Sequence, residues 1–526
     1  MKLLSPARMA ACDAYAINTW GIPSAVLMEN AGRNTYRLVK ERYLENKLSR
    51  ISVICGKGNN GGDGFVFARY ALADGYRVKV YGPANTETLK GDAALNMKLY
   101  SSVGGEIVSY ESSPKLMRDA LKNTDVIIDA LFGTGLSKEV QGIEKLLIEA
   151  INRSEKSVIA IDMPSGIDGE KGVPLGVAVK ATHTFTYGYP KTGQIVYPGA
   201  DYVGKLTVVD ISIPAMAEGV IGIDGHVIDG EMIRGFLKTR LASSHKGTYG
   251  HIAVIAGSKG KTGAAHMASL AALRIGAGLV TLAIPESLNE IMEVKLTEVM
   301  TNPVQDGGKG FFPLACLDEL KEFVRDKDLL VIGPGLSQSD DTMKLVRELV
   351  MTAGKPIVMD ADGINAFKGH SELFKEIPSD VMLTPHPGEL ARILGVTPKD
   401  INNDRIAIGR GFVERHKVNL LLKGARSILF ATDGQVFFNL TGNPALAKGG
   451  SGDILTGFIG GLIGQGYTMQ EAAILAVYIH GYIADTYREE SGSEVDLLAS
   501  DLLTGIGKTL DVLRRGEERI YIEKSL

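Results

Sequence analysis

Short apolar runs that end in glycine turns and open into helical patterns recur along this chain, and they restrict it to few folds. Residues 51–55 (ISVIC) are one such run, a buried-strand signal. Gly56-Lys57-Gly58-Asn59-Asn60-Gly61-Gly62-Asp63-Gly64 follows, and residues 65–73 are helical in pattern. Residues 125–130 carry Asp129 near their end and lead into Phe132-Gly133-Thr134-Gly135-Leu136. Residues 157–162 end in Asp162-Met163-Pro164-Ser165-Gly166, and residues 182–187 and 205–211 finish the first sheet. A second series contains residues 251–256, 331–335, 356–362 and 420–424, each ending in a turn. Strands alternating with helices make an α/β fold, whose ligands gather at the carboxyl ends of the strands. The stretch between the two series, residues 212–240, has Pro214, several glycines and no long element until residues 231–237, which places a boundary there. The expected division is a first domain of residues 1–215, a linker of residues 216–234 and a second domain of residues 235–526.

The bounds agree with this. A chain of 526 residues holds two to four domains as a prior. Its net charge of −4 carries no basic footprint for nucleic acid. Cys12, Cys55 and Cys316 are odd in number and widely spaced, which fits neither a disulfide framework nor a zinc site, and a reducing cytoplasm is expected. The start, MKLLSP, lacks the apolar core of a signal peptide. Residues 458–484 are the most apolar late stretch, but Gln465, Gln470 and Glu471 interrupt them, so core helices rather than a membrane span are expected.

In the first half, Gly56, Gly58 and Gly61 satisfy G-x-G-x-x-G, yet the next strand, residues 77–81, ends in Gly82-Pro83 instead of an acid for a ribose. That weakens a dehydrogenase reading. The paired asparagines are unusual in such a loop. Amide oxygens can ligate a hard cation, and amide N–H groups can bind phosphate or carboxamide oxygens. Three strand ends thus carry Asn59, Asn60 and Asp63, then Asp129, then Asp162 and Ser165. A single Asp at a strand end is often only a turn or cap residue; three together favour a site. Residues 7–49 are helical in pattern, with Asn30 and Asn34 among them. They are either an arm covering a site or plain packing helix.

In the second half, Lys448-Gly449-Gly450-Ser451-Gly452-Asp453 precedes an apolar helical pattern. Clustered backbone N–H groups at a helix start suit the charge of a moving phosphoryl group, and Asp453 is placed to take a proton from an attacking hydroxyl. The competing reading is a glycine-rich turn with Asp as cap. Gly260-Lys261-Thr262 is not a P-loop, because position 255 is Ile rather than Gly. Residues 263–275 form an Ala-rich helix. His386, fenced by Pro385 and Pro387, suits a positioned ligand contact. Lys423 ends a strand where it could meet a nucleotide phosphate, or simply face solvent.

The strings GNNGGDG, DALFGTG, DMPSG and YPKTG, in that order over about residues 8–215, resemble the epimerase domain of the NAD(P)H-hydrate repair enzymes. That resemblance implies a Rossmann-like three-layer αβα domain that interconverts the R and S forms of hydrated NADH and NADPH. It implies substrate contacts from Asn59, Asn60, Gly61, Gly62 and Asp63, and from Gly133, Thr134, Gly135, Leu136, Ser137, Lys138 and Glu139. It implies a potassium ion among Asn60, Asp129 and Ser165. Asp162 is the candidate acid/base and a substrate contact, with Lys191 assisting. Met163 stands where the family pattern has Ile, an apolar exchange.

The strings HKGTYGHIAVIAGS, GAGLVTLAIP, GPGL, DADGINA, TPHPGE and GGSGD, over about residues 235–515, resemble the dehydratase branch of the ribokinase-like superfamily. The implied fold is a ribokinase-like α/β domain. The implied contacts to the S form of the hydrate are Ala264, Gly335, His386 and Asp453. Lys423, Gly424, Ala425, Arg426, Ser427 and Gly452 would hold the adenine nucleotide, ADP or ATP, as phosphoryl donor. Microbial members generally use ADP and animal ones ATP, and magnesium is expected on the phosphates. The partners are small molecules, with neither nucleic acid nor membrane, and a homo-oligomer is expected.

Two activities on one chain follow: epimerisation by the first domain and nucleotide-dependent dehydration by the second. The alternatives are a kinase of a vitamin precursor or sugar, whose product keeps its phosphate, a dinucleotide-dependent dehydrogenase, and a first domain that only binds partners.

Overall fold

The computed structural model describes residues 1–83, 86–111, 118–119 and 121–525. The chain forms two compact units: Lys2–Gly225 with Ile520–Leu526, and His226–Arg519 with Met1. The division falls inside the stretch expected as a linker, which holds the helix Met216–Ile221, the strand Gly225–Ile228 and the start of the helix Gly230–Phe236. The final residues, expected with the second domain, group with the first unit.

The first unit is built on a parallel sheet. Its strands run in the order Glu523–Ser525, Lys205–Val209, His183–Tyr187, Ser157–Ile161, Val126–Ala130, Arg50–Cys55, Arg77–Gly82 and Ile107–Ser109. The strands Val126–Ala130 and His183–Tyr187 are buried at every residue, because helices cover both faces. Strand order reverses between Arg50–Cys55 and Val126–Ala130, so a crevice opens past their carboxyl ends. Residues 205–211, expected to finish this sheet, do not lie at its edge: Glu523–Ser525 pairs beyond them. Residues 7–49 are two helices, Pro6–Asn18 and Ser24–Tyr43, separated where Gly21 takes φ 70° and Pro23 follows.

The second unit repeats the plan. Its parallel strands lie in the order Asn419–Leu422, Val381–Leu383, Ile357–Met359, Leu329–Ile332, His251–Ile255, Leu279–Pro285 and Met300–Val304. Two antiparallel strands, Ile428–Phe430 and Val436–Asn439, continue from Asn419–Leu422. Within residues 458–484 the helices Ser451–Gly464 and Met469–Ser491 are core, as expected, and the turn between them carries the exposed Gly466 and Thr468. The first of these lies against Thr262–Arg274. A Cβ on Gly457 would stand 2.3 Å from the Ala268 carbonyl oxygen, so this close approach needs glycine. No helix among the described residues is long and apolar enough to cross a membrane. The three cysteines are free and buried.

Candidate functional site

Each unit carries its own site at the carboxyl ends of its strands. In the first unit a cavity of about 680 Å³ occupies the switch point. Its walls include Gly56 to Asn60, Asp63, Leu131 to Lys138, Asp162 and Lys191, and the helices Pro6–Asn18 and Ser24–Tyr43 contribute Asp13 and Met28. The N-terminal arm therefore covers a site. Asn30 and Asn34 serve packing instead, their amides donating to Ser212 Oγ at 3.1 Å and the Asp210 carbonyl at 2.9 Å. Gly61, Gly62 and Glu139 stand outside the cavity lining. Gly62 packs its helix: a Cβ there would meet Met28 Sδ at 2.6 Å and Ala93 Cα at 3.1 Å.

Asp162 follows the strand Ser157–Ile161 at φ 59°, a conformation that costs a residue with a Cβ and that the surrounding hydrogen bonds hold in place. Its Oδ1 accepts from Lys191 Nζ at 2.5 Å, Tyr187 N at 3.2 Å and Thr186 Oγ1 at 3.3 Å. Its carbonyl accepts from Gln194 Nε2 at 2.6 Å. Lys191 is 1% exposed and also donates to Thr186 Oγ1 and the Tyr187 carbonyl, each at 2.9 Å. Asp63 is buried beside this pair. Burial, and then the charges of Asp162 and Asp13, push its carboxyl well above the ordinary carboxylate range against the pull of Lys191.

Asp129 is wholly buried, and burial pushes its carboxyl up to about 6 against hydrogen bonds from Ser165 and Leu131. Ser165 donates to it from Oγ at 2.5 Å and from N at 2.8 Å, and Ser165 Oγ lies 3.2 Å from the Phe132 carbonyl. Carboxylate, hydroxyl and carbonyl oxygens thus converge on one buried point, a donor set that fits a hard monovalent cation. The Asn60 side chain lies over Gly133, where a Cβ would stand 3.3 Å from Asn60 Oδ1, and its buried Nδ2 has no hydrogen-bond partner among the described residues. That leaves an amide donor for a bound molecule.

In the second unit five neighbouring parallel strands present their ends in a row: Ala256 to Ser258, Gly333 to Gly335, Asp360 to Asp362, Thr384 to His386, and Lys423 with Gly424. At about 4.8 Å per strand this row spans roughly 19 Å, room for a nicotinamide and a nucleotide end to end. Ala264 and Gly335 meet at one end, where a Cβ on Gly335 would be 2.9 Å from Ala264 Cβ. Lys261, the lysine of the rejected P-loop string, is engaged by Asp362 Oδ2 at 2.9 Å and the Leu336 carbonyl at 3.1 Å. His386 caps the helix Pro387–Leu394 through Nδ1, which accepts from Gly388 N at 3.0 Å, and its ring is half exposed. Its other nitrogen, Nε2, lies 3.4 Å from Glu389 Oε1.

At the far end Gly450, at φ 95°, starts the helix Ser451–Gly464. The first N–H groups of this helix have no intrahelical acceptor. Lys423 lies beneath them, its side chain 16% exposed: a Cβ on Gly452 would be 3.1 Å from Lys423 Nζ. Lys423 Nζ donates to Asp360 Oδ1 at 2.7 Å, and Thr456 Oγ1 donates to Asp360 Oδ2 at 2.8 Å. So Lys423 does not face solvent. Asp453 is pushed up to about 7, by burial first, then by the charges of Asp360 and Glu389, with Lys423 opposing. A carboxyl at that value is matched to proton transfer at neutral pH.

Sequence reasoning passed over three supports here. Arg405, buried, donates to the carbonyls of Ala425 at 2.8 Å, Leu422 at 3.1 Å and Arg426 at 3.2 Å, bracing the loop of residues 423–427 from behind. Ser427 Oγ closes that loop onto the Gly424 carbonyl at 3.1 Å. His480 Nε2 reaches the Ser451 carbonyl at 3.0 Å, and burial holds its ring neutral, down at about 4. Asp360 is the third. The DADG string marked its position, but only the fold brings it to Lys423.

Known proteins match both parts of this chain. Residues 252–506 match the family described as NAD(P)H-hydrate dehydratase, and residues 24–193 match the family described as YjeF-related protein N-terminus. The bifunctional NAD(P)H-hydrate repair enzyme of Moorella thermoacetica is 40% identical over 524 residues, which cover 99% of this chain and 98% of that protein. That of Thermofilum pendens is 34% identical over 522 residues, covering 99% and 98%. Among solved structures, the ADP/ATP-dependent NAD(P)H-hydrate dehydratase of Bacillus subtilis, co-crystallised with ATP and Mg2+, is 30% identical over 55% of this chain and 99% of that one, with a TM-score of 0.48. With relatives matched along its whole length and both parts recognised separately, the chain belongs to the family of bifunctional NAD(P)H-hydrate repair enzymes.

Proposed function

We propose that the two sites divide one repair between them: the cavity around Asp162 interconverts the R and S forms of hydrated NADH and NADPH, and the row of strand ends around Asp453 dehydrates the S form. The observation that carries this is Asp453, half-buried at the start of a glycine-led helix with its carboxyl near 7. Hydroxide is a poor leaving group. Asp453 takes the proton of the hydrate's hydroxyl, which attacks the terminal phosphoryl group of ADP or ATP. The N–H groups of Gly450 to Asp453 and the Lys423 ammonium face the charge that develops there. The lone pair of the ring nitrogen then expels phosphate to form a C=N⁺ bond, and loss of a proton from the adjacent carbon restores the enamine, leaving the reduced cofactor, phosphate and AMP or ADP.

Lys423, Gly424, Ala425, Arg426, Ser427 and Gly452 hold the nucleotide in this reading; Ala264, Gly335 and His386 hold the hydrated ring. Magnesium carried on the nucleotide phosphates would neutralise their charge, with Asp360, Glu389 and Asp453 as the nearby carboxylates. In the first unit, Asp129, Ser165 and Asn60 would hold potassium, which would anchor the substrate's phosphates beside the glycine loop.

The test is mixed R and S hydrate of NADH given to the full chain with ADP or ATP, followed by the absorbance of the restored reduced cofactor. Complete recovery from both forms is expected. A stable phosphorylated product seen by mass, without recovery, would select a kinase instead.

A further inference from the structure

We propose that Asp13 is a second acid/base group of the first cavity, giving a proton to the hydroxyl as it departs while the Asp162 carboxylate takes the proton of the water that returns. This rests on the epimerase reading of that cavity.

Water added across the enamine bond of a reduced nicotinamide leaves its hydroxyl on the carbon beside the ring nitrogen. The two forms differ at that carbon. Breaking and remaking its C–O bond inverts it. The hydroxyl gains a proton and leaves as water with the bonding pair, and the nitrogen lone pair forms a C=N⁺ bond. Water then adds to the other face and loses a proton. The net result is one proton moved from the acid to the base, and solvent in the open cavity returns it. The reverse direction uses the same two groups with their roles exchanged.

The cavity has such a pair. Asp162 is held by Lys191, Tyr187 and Thr186 on its Oδ1, as a base requires. Asp13 comes from a different element, the helix Pro6–Asn18, and lines the same cavity. Its Oδ1 is buried without a hydrogen-bond partner among the described residues. A carboxyl oxygen in that position has no structural work to do, and it costs stability unless a bound molecule meets it. Burial, with Asp162 adding and Lys191 opposing more strongly than Asp162, sets the Asp13 carboxyl at about 6, so both its forms are present near neutrality. The charged groups facing it are Lys191 and Asp162 from the strand-end loops and Asp63 from the helix Asn59–Ala73. On its own helix Arg8 turns away to Asp224. Lys57, Asp92, Lys138 and Glu144 complete the charged lining of the cavity among the described residues.

The experiment uses the full chain with Asp13→Asn and Asp13→Glu, following R-to-S conversion by chiral separation across pH. Dehydration of the pure S form serves as the internal control for folding. Asp13→Asn is expected to lower kcat at least ~100-fold with KM changed less than ~3-fold. In the unaltered chain kcat/KM should fall as pH rises through about 6, where the acid loses its proton, and Asp13→Asn should lose that limb. Asp13→Glu should recover at least ~10-fold over Asn. The assignment is overturned if Asn retains a third or more of the rate, if its loss lies wholly in KM, or if the unaltered chain shows no limb near pH 6. Absence of any R-to-S conversion by the unaltered chain would instead sink the epimerase reading, so the two failures are distinguishable.

Discussion

Asp453→Asn should leave a chain that cannot dehydrate but is harder to unfold. The carboxyl rises from 3.8 to about 7 because burial and the charges of Asp360 and Glu389 oppose its ionisation more than Lys423 favours it. The sign follows from linkage. Between pH 4 and 7 the folded chain binds more protons at this position than the unfolded chain, so stability falls as pH rises through that window. Above pH 7 the cost has reached roughly 4 kcal/mol at its upper bound. Asn occupies the same volume without the charge and removes that cost, so its melting temperature should exceed the parent's by several degrees at pH 8 and converge with it near pH 4. Dehydration should fall ~100-fold or more for loss of the base. In the parent, kcat/KM should drop to about a tenth of its plateau at pH 6, where about one in ten Asp453 carboxyls is ionised. Calorimetry from pH 4 to 8, with cofactor recovery measured on the same samples, tests both halves. An Asn variant that dehydrates at near-normal rate refutes the base assignment. One that is equally stable at pH 8 refutes the account of the charge.

Asp162→Ala should slow conversion of the R form while leaving dehydration of the S form within about twofold, read by supplying each form separately; an equal loss on both would argue against separable sites. Gly450→Ala should cost ~1–3 kcal/mol, because φ 95° and Met267 Cε at 2.6 Å both oppose a Cβ, and cofactor recovery should fall with KM for nucleotide raised. Arg405→Ala should destabilise the second unit by roughly 3 kcal/mol in urea unfolding, since it removes the guanidinium donors to the Leu422, Ala425 and Arg426 carbonyls, and should weaken nucleotide binding. Ser165→Ala should lower R-to-S conversion and its response to potassium, measured against lithium, with dehydration unchanged.

The alternation of strands and helices was readable because a strand buried on both faces has a continuous apolar run, as in residues 51–55 and 157–161. The turns carrying Asp129, Asp162, His386 and Asp453 were readable because topology sends ligands to strand ends. Partners distant along the chain were not readable. Lys423 finds Asp360 across a separation of 63 residues, and Arg405 braces a loop 17 to 21 residues onward. Asp13 was hidden in a helical pattern indistinguishable from packing helix. Its one signal was an acid among apolar positions. Glu523–Ser525 gave no strand signal at all, because three polar residues become a strand only when an existing edge offers them hydrogen bonds.

That last strand has a consequence for how the protein is made. The sheet of the first unit is complete only when residues 523–525 take their place beside Lys205–Val209, where Glu523 meets Arg42 and, at 3.2 Å, Thr207 Oγ1. A ribosome must therefore release residues 210–525 before the first unit can seal this border. Until then the row from Lys205 to Val209 is a naked template for a stranger's backbone. Cutting the gene after residue 225 would make that transient state permanent.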